Sequence, residues 1–304
     1  MKKNYFYEKV TILKIARNMG NIRGNMNYIL LNVGYSELNA NWNWENVYSP
    51  FARIYYVKTG NAKTLFDNQV FELSSGNMYL TPPFTLHNDE CDSPFSLYYI
   101  HFFEETINNE SIFDKYNFPV SIKASKIDLL LVQRLLEINP DRHLKFYDPK
   151  IYDNTPTFTH FISDNNKLSD HTLMETRGIL IQLMSRFTAE ANIKTDNKDI
   201  RIIESLKHIH ENIDKEISVA TLADISCITS DHFIRLFKRE MNITPLKYIL
   251  TKKIEKSQLM LLTTDISIKE IAWELSIENV SYFNRIFKKH TGKTPGAYRF
   301  EYGK

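Results

Sequence analysis

Hydrophobic residues alternate in the first third of the chain and cycle in the last third. From residue 28 to 104, apolar and aromatic residues come in short runs: YILLNV, ARIYYVKTG, NMYLTPP and FSLYYIHFF. These runs are rich in β-branched and aromatic types, which fit a pleated surface, and Gly, Asn, Asp and Pro separate them. Short strands at even spacing predict a sandwich or barrel. Beyond residue 200 the period changes. Ile202, Leu206, Ile209 and Ile213 recur at i, i+4, i+7 and i+11, the stripe of an amphipathic helix. Two further helices are predicted between these regions, at 126–138 (KIDLLLVQRLLEI) and 170–191 (DHTLMETRGILIQLMSRFTAEA). The first is apolar nearly all round and is expected to be buried. The second sets Leu173, Thr176, Leu180, Leu183 and Phe187 on one stripe, suited to a tertiary core or a dimer interface. The Tyr-, Asp- and Pro-rich segment 139–166 predicts a long irregular excursion. Residues 192–199 (NIKTDNKD) are polar and aperiodic, which divides the chain into domains 1–195 and 196–304.

The helical third contains a repeat. DHFIRLFKREMNITP (231–245) and SYFNRIFKKHTGKTP (281–295) share Phe, Arg, Phe, Lys, Thr and Pro at six of fifteen places. Unrelated segments of average composition would share about one. Each copy follows a Ser-initiated stretch with a Leu-Ala or Ile-Ala pair, Leu222-Ala223 and Ile271-Ala272. Ser267 and Glu270 form an S-x-x-E capping box, and Thr229 and Asn279 are N-cap types for the second helix of each unit. On that second helix Phe283, Ile286 and Phe287 share one side, as do Phe233, Leu236 and Phe237, so these face the core. Asp231, Ile234, Arg235 and Lys238 then project outward from the first copy, and Ser281, Asn284, Arg285 and Lys288 from the second. A solvated basic face of a helical bundle would explain one such helix, but has no reason to repeat Arg-x-x-Lys beside a buried Phe pair. Thr244-Pro245, Thr294-Pro295, Tyr248 and Tyr298 read as structural, Pro being suited to a first helical turn.

Charge adds little. The net charge is +2; the last 109 residues carry 18 Lys+Arg and 15 Asp+Glu, or +3, and the first 195 carry 20 and 21, or −1. Nucleic-acid binding must therefore rest on where the cations sit. At 304 residues, 43% apolar and 24% charged, the composition is that of a globular protein with room for two cores. No apolar run approaches the roughly 20 residues of a membrane helix, so no membrane partner is expected. The N-terminus lacks a long apolar region, so no signal peptide is expected, and two cysteines fit a cytoplasmic location.

Residues 200–302 closely resemble the AraC/XylS family of bacterial transcription regulators. The likeness rests on LA–x9–F–x–R–x–FK in the first unit and IA–x10–F–x–R–x–FKK–x2–G–x–TP–x2–YR in the second. It implies an α+β multidomain chain: an N-terminal cupin-like β-barrel or jelly roll with flanking helices, then an all-α domain of two helix-turn-helix subdomains joined by a long helix. Each subdomain would lay its second helix in a major-groove segment, the two about one helical turn, roughly 34 Å, apart. The implied partners are promoter or operator DNA, a small-molecule effector, a second copy of the chain and RNA polymerase. Arg235 and Arg285 are the candidates for bidentate contact with guanine, and Asn284 for adenine edges or phosphate. Asp231, His232, Lys238, Ser281 and Tyr282 are further groove or backbone contacts. Lys252, Lys253, Lys256, Lys288, Lys289 and Lys293 would neutralise phosphate. Two departures stand out. Cys227 and Ser276 occupy turn positions where the family usually has Gly, and Ile234 stands where a polar base-reader would serve, though it could meet a thymine methyl.

Residues 28–104 resemble the cupin-like effector domain that often precedes this module. Gly76, Pro82 and His87 match its G-x5-P-x4-H spacing. The partner motif of metal cupins, two His and a Glu, is missing; counting back from Gly60, Arg53 holds the Glu position. No metal, cofactor or catalytic residue is therefore expected. Arg53, Tyr55, Trp44, His87, Tyr99 and His101 are instead suited to a small polar metabolite such as a sugar, and an inward Arg53 requires an anion or acceptor. Ordinary barrel packing is the competing account of the aromatics. The expectation is an effector-responsive activator. The alternatives are a ligand-independent regulator, whose first domain only dimerises, and a cupin enzyme with a helical appendage, which bound metal would betray.

Overall fold

The computed structural model describes residues 27–66, 69–106, 111–153, 155–194 and 198–301; the N-terminal stretch read for a signal peptide lies outside them. The first half supplies β1 (Asn27–Leu38), β2 (Trp44–Val47), β3 (Ala52–Thr59), β4 (Asn61–Phe66), β5 (Gln69–Ser74), β6 (Asn77–Thr81), β7 (His87–Glu90) and β8 (Phe95–Glu105). Short β9 (Tyr116–Asn117) and β10 (Ser121–Lys123) follow a one-turn helix α1 (Ile112–Lys115). They form a five-stranded sheet ordered β1-β8-β3-β6-β10 and a four-stranded sheet ordered β2-β7-β4-β5, the two halves of a jelly roll. Gly60, at φ 75°, turns β3 into β4 where an added Cβ would stand 2.3 Å from the Pro94 carbonyl oxygen, so only glycine fits.

The five-stranded sheet is buried on both faces, which explains its nearly continuous apolar runs. One face looks into the barrel with Leu31, Tyr55, Val57, Tyr79, Leu97 and Tyr99. The other, with Leu30, Val33, Ile54, Met78 and Ile100, packs on α2 (Lys126–Ile138) through Val132 and Leu135. Between α2 and the next long helix come α3 (Pro149–Tyr152) and α4 (Thr155–Lys167). That long helix, α5 (Asp170–Ala189), packs on the same outer face through Leu180, Leu183 and Phe187.

Two expectations change here and a third narrows. Helix α2 is not buried all round: Ile127 and Leu130 are 66% and 62% exposed, because the sheet covers one side only. The segment 139–166 is no irregular excursion, since twelve of its residues fall in α4 and four in α3. Of the stripe on α5, Thr176, Leu180, Leu183 and Phe187 are buried in its own domain, as the tertiary-core alternative has it, while Leu173 is half-buried on a cleft wall and Met174 and Ile181 are exposed.

After β11 (Asn192–Ile193) the chain is helical: α6 (Ile200–Glu211), α7 (Val219–Ile225), α8 (Ser230–Met241), α9 (Pro245–Thr263), α10 (Ile268–Glu274), α11 (Val280–Thr291) and α12 (Pro295–Glu301). The predicted stripe Ile202, Leu206, Ile209 and Ile213 packs on Leu222, Phe233 and Phe237 in a cluster of its own. The second unit's Ile271, Phe283, Phe287 and Tyr298 instead join one continuous cluster with α9, with Phe158 and Phe161 of α4, and with the barrel interior.

Candidate functional site

The two helix pairs repeat each other cap for cap. Ser218 and Ser267 accept backbone N–H bonds at the starts of α7 and α10, and Thr229 and Asn279 do so for α8 and α11. The Ser267–Glu270 box closes in both directions. Asn242 and Gly292 end α8 and α11 in the left-handed region, at φ 58° and 79°. Tyr248 meets Phe237 at 5.7 Å between ring centroids and Tyr298 meets Phe287 at 5.4 Å, so both tyrosines are packing residues. The turns of both units pass through positive φ at non-glycine residues, Cys227 at 53° and Ser276 at 49°. These are the two places where the sequence departs from Gly.

With Phe233, Phe237, Phe283 and Phe287 anchored behind, the opposite faces of α8 and α11 are free. Asp231, His232, Arg235 and Lys238 are exposed on α8, and Ser281, Arg285, Lys288 and Lys289 on α11. Tyr282 and Asn284 are half-buried; the Arg285 guanidinium lies 5.5 Å from the centre of the Tyr282 ring, which steadies it. Ile234 is half-buried as well. The outward residues fall at i, i+4 and i+7 along each helix, the geometry a major groove accepts.

In the barrel, Arg53, Tyr55, His87, Tyr99 and His101 are all buried, while Trp44 is half-buried at the sheet edge. Arg53 stands opposite His101 across β3 and β8. Its Nη2 donates to Ser49 Oγ at 2.6 Å, and Ser49 in turn donates to Asp153. Burial works to lower the Arg53 pKa, but Tyr152, Tyr55 and Asp153 outweigh it and hold the guanidinium above its ordinary value. Burial, then Arg53, pushes His87 down to about 3, and the same two causes keep His101 well below the usual range, so both imidazoles are neutral. Burial lifts Asp89 and Asp153 to about 6 against the pull of their hydrogen bonds and of Arg53. The polar residues converge, yet little room remains: a void of about 20 Å³ lies beside Tyr55, Tyr99, His101 and Tyr152. The stopper is the segment carrying Leu144, Tyr147, Tyr152 and Asp153. Leu144 N–H donates to the Tyr99 hydroxyl at 2.7 Å. Arg142 donates to the Leu30 and Leu31 carbonyls at 3.0 and 3.1 Å, where the pairing of β1 with β8 shifts register. Sequence reasoning had no signal for Asp153 beyond the requirement that an inward Arg53 find an anion.

Comparison with known proteins agrees with this geometry. A helix-turn-helix domain family model matches residues 222–300. The HTH-type transcriptional regulator YfiF of Bacillus subtilis is 23% identical over 266 residues, covering 83% of this chain and 77% of its own length. The arabinose operon regulatory protein of Escherichia coli is 25% identical over 122 residues, 40% of this chain and 41% of that protein. The C-terminal domain of the two-component response regulator yesN from Fusobacterium nucleatum is 33% identical, covering 31% of this chain and 93% of that one, with a TM-score of 0.31. Residues 222–300 are an AraC-type helix-turn-helix domain, and the chain's relatives are AraC-family transcription regulators.

In this chain Lys252 and Lys253 of the linker helix α9 are not offered to DNA as expected. Lys252 Nζ donates to Asp114 of α1 at 2.5 Å and to Glu255 at 2.8 Å. Lys253 Nζ is buried on the Lys215 and Leu275 carbonyls, at 2.8 and 2.5 Å. Both are structural, one tying the linker to the first domain and the other tying the two helix-turn-helix units together. Lys256 is half-buried beside them. Between the domains runs a cleft of about 870 Å³, walled by Tyr28, Phe84 and Glu104 on one side and by Lys252, Leu259 and Met260 on the other.

Proposed function

We propose that this regulator activates transcription in response to a small polar metabolite, a sugar being the leading class, and reads its operator through α8 and α11. The observation that carries the DNA half is the duplicated helix with Phe–x3–Phe packed inward and Arg235 or Arg285 exposed on the outer face. Arg285 and Arg235 contact guanine edges, Asn284 an adenine edge or phosphate, and Lys238, Lys288 and Lys289 phosphate. The first helix of each unit supports the second through the buried Leu222-Ala223 and Ile271-Ala272 pairs.

The barrel holds the effector on Arg53, Tyr55, His87, Tyr99 and His101. Supporting this reading are unpartnered buried atoms there: Arg53 Nε, His87 Nε2, Asp89 Oδ1 and both ring nitrogens of His101. Leaving so many polar groups unpaired in a core is costly, so they suit a hydroxylated guest. Entry requires the stopper to withdraw, and the stopper leads into α4, which packs on α9. The chain acts as a homodimer whose contact uses the outward apolar residues Ile127 and Leu130 of α2 and Met174 and Ile181 of α5.

The test is selection of binding sites from a random DNA pool, followed by titration of Arg285→Ala against the selected site and single-base variants. Loss of about 1–3 kcal/mol of discrimination at one G·C pair supports the role. Unchanged discrimination removes Arg285 from the reading head.

A further inference from the structure

Arg53 is 1% exposed and lies in the centre of the barrel, yet among the described residues no carboxylate touches it directly. Its guanidinium sits 4.5 Å from the centre of the Phe51 ring, donates to Ser49 Oγ, and leaves Nε unpartnered. The nearest arrangement to an ion pair runs through Ser49 to Asp153, and Asp153 belongs to the stopper rather than to the barrel wall. A buried cation normally keeps its anion in contact. Here the anion is one residue removed and rides on the segment that must leave for anything to enter.

We propose that Asp153 is a tethered stand-in for the effector's own carboxylate, and that the effector is a small hydroxylated carboxylic acid which replaces Asp153 beside Arg53 and Ser49. This deepens the reading of the barrel as the effector site and rests on it. Charge decides between an acid and a neutral sugar. His87 and His101 are neutral, so Arg53 is balanced by Asp153 and Asp89. A neutral guest that expelled Asp153 would strand the guanidinium with Asp89 alone, while an acid restores the balance at the moment the stopper leaves. The hydroxyl requirement follows from the wall. Each neutral imidazole offers one donor and one acceptor, and both nitrogens of His101 and Nε2 of His87 are unpartnered, as is Asp89 Oδ1. Groups that donate and accept at once satisfy this set. Withdrawal of Tyr152 and Asp153 opens space of about the size of those two side chains, enough for a molecule bearing a carboxylate and several hydroxyls. The consequence reaches DNA directly. Asp153 follows α3 at two residues' remove from α4, whose Phe158 and Phe161 pack in one cluster with Ile254 and Leu261 of α9. Expelling the stopper therefore disturbs the helix that joins the two reading units.

The experiment uses the full chain and small probes. Asp153→Ala and, to keep the Ser49 hydrogen bond without the charge, Asp153→Asn are melted with increasing acetate or formate at constant ionic strength set by chloride. The same proteins are then melted with matched acids and neutral polyols, gluconate against sorbitol and galacturonate against galactose. Acetate is expected to raise the melting temperature of the alanine variant by roughly 3–6 °C at ten times its dissociation constant. Wild type should respond to acetate far less, because its own carboxylate competes, and Asp153→Ala/Arg53→Met should not respond. Gluconate or galacturonate should bind the Asp153 variants at least tenfold more tightly than wild type. If the asparagine variant alone folds, it must reproduce the acid preference. Should the neutral polyols stabilise all three proteins while the carboxylates stabilise none, the barrel remains the effector site and the acid assignment is overturned. Should neither class shift any protein, the acid assignment and the barrel reading both fall.

Discussion

Replacing Lys252 by methionine tests how the first domain holds the linker helix. Lys252, Asp114 and Glu255 keep 19%, 21% and 16% of their side chains in solvent, so each is about four-fifths buried. Breaking a fully buried ion pair costs about 3–5 kcal/mol, most of it from the charge left behind. Lys252→Met leaves two carboxylates facing each other, but the exposed fifth of each lets water relieve part of the cost, giving about 2–4 kcal/mol. For a chain of this size that is roughly 5–12 °C in melting temperature. The loss should persist in about 1 M salt, because buried pairs are weakly screened. Neutralising the set with Asp114→Asn/Lys252→Met/Glu255→Gln should recover most of it, since the one charge left beside it, Lys194, keeps its bond to the Phe113 carbonyl. The triple variant then separates restraint from stability: it melts near wild type, yet its affinity for a selected DNA site changes, because α9 is no longer tied to α1. If Lys252→Met melts within 1 °C of wild type, or the neutral triple is no better than the single variant, the network does not carry the coupling assigned to it.

Three further outcomes are expected. Cys227→Gly should stabilise the chain by about 0.5–1 kcal/mol, since a left-handed non-glycine costs about 1–2 kcal/mol and glycine gives back part of that in unfolded-state entropy; Ser276→Gly should gain less, because Ser276 Oγ also donates to the Asp214 carbonyl at 2.7 Å, and thermal melts of both variants decide it. Phe237→Ala should cost about 3–5 kcal/mol and raise amide exchange within α6–α8 and the start of α9, where Tyr248 and Ile249 pack on it, whereas Phe287→Ala, in the shared cluster, should raise it in α4 as well; equal spread in both would contradict the separate cores. The Asp153 carboxyl is raised from 3.8 to about 6, so it favours folding fully below 3.8 and that contribution fades as pH rises through 6; the asparagine variant should therefore gain on wild type by about 3 kcal/mol between pH 3 and 8, nearly half of it above pH 5, in denaturant titrations, and a flat difference would place the carboxyl in water.

What the sequence makes legible is local. The repeat, its caps and its inward Phe pairs are written within fifteen residues, and the structure reproduces them position by position. Even the departures are readable: Cys227 and Ser276 take the positive φ that the missing glycines would have taken. What escapes is whatever depends on a distant neighbour. The α9 lysines look like a solvated basic face because nothing near residue 252 announces that Asp114, 138 positions away, will be set against it. Ile127 and Leu130 look buried because an apolar helix does not say how many of its sides the sheet will cover. Arg53 marks the intermediate case: its burial follows from strand alternation, and from burial follows the need for an anion, but not that Asp153 would supply it.

The division of the cores gives these separate facts a direction. The first helix-turn-helix unit packs on itself, with Ile202, Leu222 and Phe233 in a cluster apart. The second shares its core with α9, α4 and the barrel, so Phe287 and Tyr55 belong to one packed network. Packed cores respond as units rather than by gradual deformation. A change at the stopper must then reach Arg285 before it reaches Arg235, and reaches Arg235 only through α9 and the Lys253 bonds to both units. The first domain is thus coupled to α11 directly and to α8 through their spacing, which is the quantity two successive major-groove segments would measure.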